Sequence, residues 1–137
     1  MIKGLKVRLR FGGFLVAALL VLGGGSVSLA QEVTPEFVQE TIVKANQGIA
    51  RAQYNLGVLY VNGEGVRQDK VKAREWYEQA AVQGHVRAYY NLGVMYINGE
   101  GGGLQNMKTA KEWFGKACDR GLQLGCDAYR ELNEASH

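Results

Sequence analysis

Serine, histidine, cysteine and proline are all scarce in this 137-residue chain, and each scarcity removes a class of function. Beyond residue 30 there is one serine, Ser136, and it lies in the terminal tail. A serine hydrolase has no nucleophile there, and neither Ser-x-x-Lys nor Gly-x-Ser-x-Gly occurs. The two histidines are His85 and His137, with no His-Glu-x-x-His and no cysteine pairs at zinc spacing. No metal and no cofactor is expected, and His85 reads as a partly exposed residue at a helix junction. The glycine-rich stretch 99–103 lacks the Gly-Lys-Ser/Thr of a phosphate loop and follows a helix, so it reads as a plain loop.

Negative charge is missing from the N-terminus, where no acid precedes Glu32. Lys3, Lys6, Arg8 and Arg10 stand there instead, followed by an apolar run over 14–22, three glycines and Ser28-Leu29-Ala30. That order predicts a secretory signal peptide over 1–30, cut after Ala30. The alternative, an uncleaved anchor, is opposed by glycines that break the run well short of the roughly 20 residues needed to span a bilayer. Removing the leader removes 4 of the 16 basic residues and none of the 13 acids, so the remainder carries 12 − 13 = −1. Charge then gives no reason to expect a nucleic-acid partner. The protein is expected to be periplasmic or secreted, without a membrane span after cleavage. In such an oxidising compartment the two cysteines, Cys118 and Cys126, favour a structural disulfide over a reduced redox pair, two buried free thiols being the alternative.

The rest of the chain repeats itself. RAQYNLGVLYVNGEG at 51–65 returns as RAYYNLGVMYINGEG at 87–101, with twelve of fifteen positions identical at an offset of 36. After the loop the offset becomes 37: KAREWY at 72–77 returns as TAKEWF at 109–114, so the second loop holds one extra residue. Insertion there leaves the flanking helices intact. Ala52, Leu56, Leu59 and Tyr60 recur at helical spacing, as do Ala73, Trp76, Tyr77 and Ala80, which makes each unit a pair of helices. Asn62-Gly63 and Asn98-Gly99 end the first helices, and Gly84 and Gly121 the second. Gly57 and Gly93 lie inside helices, at a cost of roughly 1 kcal/mol relative to alanine. Their recurrence predicts a close approach of neighbouring backbones.

The only proline, Pro35, follows Thr34 and precedes Glu36, an N-cap and acidic first turn for a leading helix. The expected organisation is a capping helix over 31–48, one unit over 49–84, a second over 85–121, and a capping helix with tail over 122–137. The fold class is all-α: a short right-handed αα-hairpin solenoid, two full repeats between half-repeat caps.

Ala-x-x-x-Leu-Gly-x-x-Tyr, then Asn-Gly-x-Gly-Val, then Lys-Ala-x-x-Trp-Tyr-x-x-Ala-Ala-x-Gln-Gly resembles the Sel-type repeat, a relative of the tetratricopeptide repeat. The first unit follows the pattern closely. In the second, Gly102, Gly103, Leu104 and Gln105 replace Val66, Arg67, Gln68 and Asp69. The spacing of Cys118 and Cys126 is similar to the disulfide-bridged repeats of the Helicobacter cysteine-rich protein family, and that resemblance implies a bridge between a second helix and the helix that follows.

A polar stripe is the main functional signal. Arg51, Asn55 and Asn62, and again Arg87, Asn91 and Asn98, fall at steps of four and seven along one face of each first helix. Asparagine can donate to and accept from a peptide backbone, and arginine can fork onto a carboxylate. Stacked copies predict a groove for an extended peptide or a chain terminus, against the plainer reading of a solvated face. Trp76, Trp113, Tyr60, Tyr96, Tyr77 and Phe114 read as interhelical core, while Tyr89-Tyr90, where the first unit has Gln53-Tyr54, offers aromatic surface for a partner. Recurring acids, Glu64 with Glu100 and Glu75 with Glu112, read as structural rather than as catalytic pairs.

The expected function is an exported protein–protein interaction module with no catalysis of its own. The Helicobacter resemblance also implies a rival, β-lactam binding or slow β-lactamase activity, for which the residues supply no machinery. An immunity or inhibitor protein against an exported toxin is a third expectation that no residue selects. Two full units are few for a solenoid whose units bury their faces only against neighbours, which leaves room for a homo-oligomer.

Overall fold

The computed structural model describes residues 32–136; the leader expected over 1–30 and its cut lie outside them. Helix α1 (Pro35–Asn46) is opened by Thr34, whose hydroxyl accepts the Phe37 N–H at 3.1 Å. Pro35 takes a first-turn position that needs no N–H donor, and Glu36 faces the positive end of the helix dipole. Helices α2 (Ala50–Asn62), α3 (Lys70–Val82), α4 (Val86–Asn98), α5 (Met107–Asp119) and α6 (Gln123–Ala135) follow. Each packs on the next. The described residues are therefore all-α, six helices laid down as consecutive hairpins.

The turns explain why both units keep one shape. At the junctions before α2, α4 and α6 the chain passes through Gly48, Gly84 and Gly121 at φ of 86°, 84° and 86°, a region in which a Cβ is strained. Within each unit the longer loop closes on one backbone bond: Asp69 N–H to Tyr60 C=O at 3.0 Å, and Asn106 N–H to Tyr96 C=O at 2.8 Å. The extra residue of the second loop is absorbed before that bond, where Gly102 sits at φ 80°. Asp69 then caps α3 by accepting from Val71 and Lys72 N–H, each at 3.0 Å, and Asn106 caps α5 by accepting from Thr109 N–H at 3.0 Å.

Among the described residues, eight of the fifteen buried apolar side chains are alanine, so the helices can approach one another closely. Leu56, Leu92 and Phe114 are the largest side chains fully enclosed. The interior glycines serve the same closeness: a Cβ on Gly57 would stand 3.2 Å from the Ala73 backbone oxygen, the backbone approach that was expected, while the nearest atoms at Gly93 belong to a ring. A Cβ on Gly57 would stand 2.5 Å from Cε1 of Tyr77, and one on Gly93 would stand 2.6 Å from Cε1 of Phe114. An aromatic ring from the second helix occupies the space each glycine leaves. Helical periodicity marks the glycine's face and is silent about what lies opposite, which is why a ring was not expected.

An amide cluster centred on the buried Gln53 ties α1 to the first unit. Gln83 Nε2 donates to Gly48 C=O at 2.9 Å and to Gln53 Oε1 at 2.7 Å, and Gln53 Nε2 reaches Ala45 C=O and Gln79 Oε1 at 3.4 Å. Gln53 is only 4% exposed, so these bonds satisfy an amide that would otherwise be costly to bury. One unit later its places are held by Tyr89, Lys116 and Arg120. Tyr89 stacks on Trp113 with ring centroids 5.8 Å apart, and Tyr90 packs on Phe114 at 5.4 Å. Both tyrosine rings are half-buried and engaged by their own chain. Cys118 of α5 and Cys126 of α6 form a disulfide with a Cα separation of 4.5 Å.

Two stability outcomes are expected. Gly93→Ala improves helix propensity yet drives a methyl into Phe114, and overpacking of this kind costs about 1–3 kcal/mol, measurable by urea unfolding. Removing the bridge as Cys118→Ser/Cys126→Ser frees a short loop and lowers stability by about 2.5 kcal/mol on the chain-entropy scale.

Candidate functional site

Steps of four along α2 and α4 set Arg51 above Asn55 and Arg87 above Asn91. The hairpin between them brings the two helix beginnings side by side. Arg51, Asn55 and Arg87 line one open cleft of about 480 Å³, completed by Tyr54 and His85. Asn91 is not part of this lining, and its amide stands beside the Tyr77 hydroxyl. Asn62 and Asn98 are the last residues of α2 and α4 and do not line this cleft. Asn62 Nδ2 donates to Glu64 at 3.0 Å. The six stripe residues thus separate into a cleft group, one amide beside Tyr77 and two helix ends.

An aromatic ladder runs from the core to the cleft. Tyr77 faces Tyr54 at 5.7 Å between centroids, and Tyr54 stacks on His85 at 4.5 Å with ring planes 21° apart. Burial pushes the Tyr77 phenol up to about 12; Asn91 beside the hydroxyl partly offsets this, and Tyr54 adds to it. The same burial effect lowers the His85 imidazole, and the positive charges of Arg87 and Arg51 lower it further. His85 Nδ1 is buried without a hydrogen-bond partner. A bare nitrogen suits the neutral ring, since a proton there would bury an unpaired cationic donor. Among the described residues neither Arg51 nor Arg87 pairs with a carboxylate.

A second open cleft, about 560 Å³, is lined by Tyr60, Val66, Arg67, Gln68, Asp69 and Lys72 at the loop end of the first unit. Though larger, it is the weaker candidate because its polar groups other than Arg67 already have tasks. Gln68 donates to Val61 C=O at 2.7 Å, Asp69 caps α3, and the Lys72 ammonium sits 5.5 Å from the Tyr60 ring centroid. The recurring acids are not brought together as a pair: Glu64 accepts from Asn62, and Glu100 is bound by Lys70 of the preceding unit. No three His, Cys, Asp or Glu side chains gather as a metal-holding group among the described residues. Nor is any described helix long and apolar enough to cross a membrane.

Residues 50–85 and 86–122 match the Sel1 repeat. The chain belongs to the Sel1 repeat family. Its structure is similar to a Sel1 repeat protein from Oxalobacter formigenes at 31% identity and a TM-score of 0.68, covering 72% of this chain and 28% of that one. It is also similar to a protective antigen of uropathogenic Escherichia coli strains at 32% identity and a TM-score of 0.65, over 81% of this chain and 23% of the antigen. Cysteine rich protein B of Helicobacter pylori matches nearly end to end, with 25% identity, a TM-score of 0.65, and coverage of 91% of this chain and 94% of that one. An uncharacterized Haemophilus influenzae protein is 56% identical over 30 residues, which is 22% of this chain and 58% of that protein's length.

Comparing the Sel1 units within the chain singles out a residue that periodicity missed. The residue leading into each first helix is Ile49 before α2, His85 before α4 and Leu122 before α6, and none of them caps its helix through a side chain. An aliphatic residue serves at two of these junctions, so packing alone does not require a histidine at the third. The signal was present in the sequence as a departure from the repeat, but only the Tyr54 stack shows where the imidazole goes.

Tyr77 makes a pH prediction. A phenol raised to about 12 stabilises the fold fully below its ordinary value of 10.0, and that contribution is lost as the pH climbs through the raised value. Tyr77→Phe, which installs the residue of the second unit, should flatten the alkaline decline in unfolding free energy between these limits. Equal alkaline profiles for the two proteins would refute the assignment.

Proposed function

We propose that this Sel1 repeat protein is an exported binding module that holds a peptide or a segment of another protein on its first-helix face and carries out no reaction of its own. One observation carries the reading: two guanidiniums without carboxylate partners among the described residues, Arg51 and Arg87, meet beside Asn55 in a single open cleft. Arginine offers a planar fork that matches a carboxylate or a pair of carbonyls, and the amide of Asn55 can both donate and accept. A surface kept only for solvation would gain nothing from stacking an imidazole on Tyr54 in a cleft shared with two arginines.

Export is supported by the basic, apolar and small-residue order over 1–30, and by the Cys118–Cys126 bridge, which persists in oxidising compartments. The proposed location is the periplasm or the extracellular space. The absence of a reaction is supported by the scarcity of nucleophiles beyond residue 30 and by cysteines tied to each other.

Crosslinking in periplasmic extracts identifies the partner, and titration of the purified pair then tests the cleft. Arg51→Ala/Asn55→Ala/Arg87→Ala should weaken binding by at least about tenfold, equivalent to 1.4 kcal/mol, while leaving the helical circular dichroism and melting profile intact. Asn91 is left out of this variant because it stands beside the buried Tyr77 hydroxyl. Undiminished affinity in a folded triple variant would remove the cleft from the function.

A further inference from the structure

We propose that Arg51, His85 and Arg87 form a carboxylate-binding site in the cleft between α2 and α4, and that His85 takes up a proton when the carboxylate is bound. This deepens the binding-module reading and rests on it.

The argument starts from the repeat itself. Ile49 and Leu122 hold the place of His85 at the other two junctions, so the fold works with an aliphatic side chain there. At this one junction the chain puts an imidazole against Tyr54, its centroid 4.5 Å from the phenol ring, and sets it beside two arginines. Three groups that are cationic or can become so face one cleft, with no acid pairing with either arginine among the described residues. An anion is the ligand this arrangement lacks. Carboxylate fits better than a bare inorganic ion because Asn55, on the same wall, offers an amide to the backbone that follows a carboxyl group.

His85 is surrounded by Arg51 and Tyr54 from α2, by Tyr77 of α3 behind Tyr54, and by Arg87 from α4. In the free protein every influence resolved on the imidazole opposes its charged form: burial first, then Arg87, then Arg51. A bound carboxylate neutralises the two arginines and adds a negative charge of its own, so the imidazole regains a proton more readily. The sign follows from linkage. Binding raises the affinity of His85 for its proton, so the protein binds the carboxylate more tightly as pH falls and loses that gain as pH rises through the bound-state midpoint. The carboxylate stays ionised over this range, because its own titration lies near 4 or below. Exposed ion pairs are worth about 0–1 kcal/mol each, so a short probe should bind weakly, at millimolar concentration.

The experiment is a proton NMR titration of the His85 ring in the whole untagged protein, the signal being assigned by its absence in His85→Leu. Three probes are used: N-acetyl-trialanine with a free C-terminal carboxylate, its C-terminal amide, and N-acetyl-Ala-Asp-Ala-amide. The free protein should titrate below the ordinary histidine value. Either carboxylate probe should move the midpoint upward and bind about threefold or more tightly at about pH 5 than at about pH 8, whereas the amide should do neither. Which carboxylate acts distinguishes a chain terminus from an acidic side chain. His85→Leu should still bind at about pH 8 but lose the pH dependence, and Arg51→Gln/Arg87→Gln should lose the distinction between carboxylate and amide. Binding of the carboxylate probes with an unmoved His85 midpoint overturns the inference and leaves the binding-module reading standing. If none of the probes binds, both fail.

Discussion

The ring of Tyr77 occupies the space that Gly57 leaves on α2, and the ring of Phe114 does the same at Gly93 on α4. These contacts fix how closely the two helices of a unit lie, and closeness governs the rest. Because the helices approach over glycine, the neighbouring positions are filled by alanines such as Ala73, Ala80, Ala110 and Ala117, each essentially without exposure. A core built this way has little volume to spare. Its stability comes from many short contacts, repeated between successive helices, rather than from a single hydrophobic centre.

The same ring links the core to the candidate site. Tyr77 touches Gly57 on one side and faces Tyr54 on another, and Tyr54 in turn carries His85. The imidazole is held at the cleft by a stack whose far end is pinned inside the unit. Rigid placement of this kind favours a binding surface, since less side-chain freedom is lost when a ligand arrives. In the second unit Phe114 takes the place of Tyr77 and Leu122 that of His85, so the complete ladder occurs once.

Much of the fold was legible because its rules are local. Thr34 with Pro35, the Asn-Gly helix ends and the junction glycines mark boundaries by their own backbone preferences, and the identical stretches show that two units share one shape. What crosses from one helix to another was not legible in the same way. Gly57 and Gly93 announce a close approach without naming its partner, and nothing in the sequence sets Trp113 against Tyr89. In the site, Arg51, Asn55 and Arg87 follow from periodicity, but Asn62 and Asn98 share that periodicity and end elsewhere, because the cleft lies at the N-terminal ends of the helices. His85 needed both kinds of information: the repeat to show that it departs, and the stack to show where it points.

The glycine-and-ring contact closes within one unit, since Gly57 meets Tyr77 and Gly93 meets Phe114 without help from any neighbour. A segment of gene encoding one unit therefore carries its central contact whole. Tandem duplication copies a hairpin that is already fitted, and only the seam between copies must be adjusted afterwards. Gln53 giving way to Tyr89, Gln79 to Lys116 and Gln83 to Arg120 has the form of such an adjustment at the seam, while the glycine-and-ring contact is kept in both units.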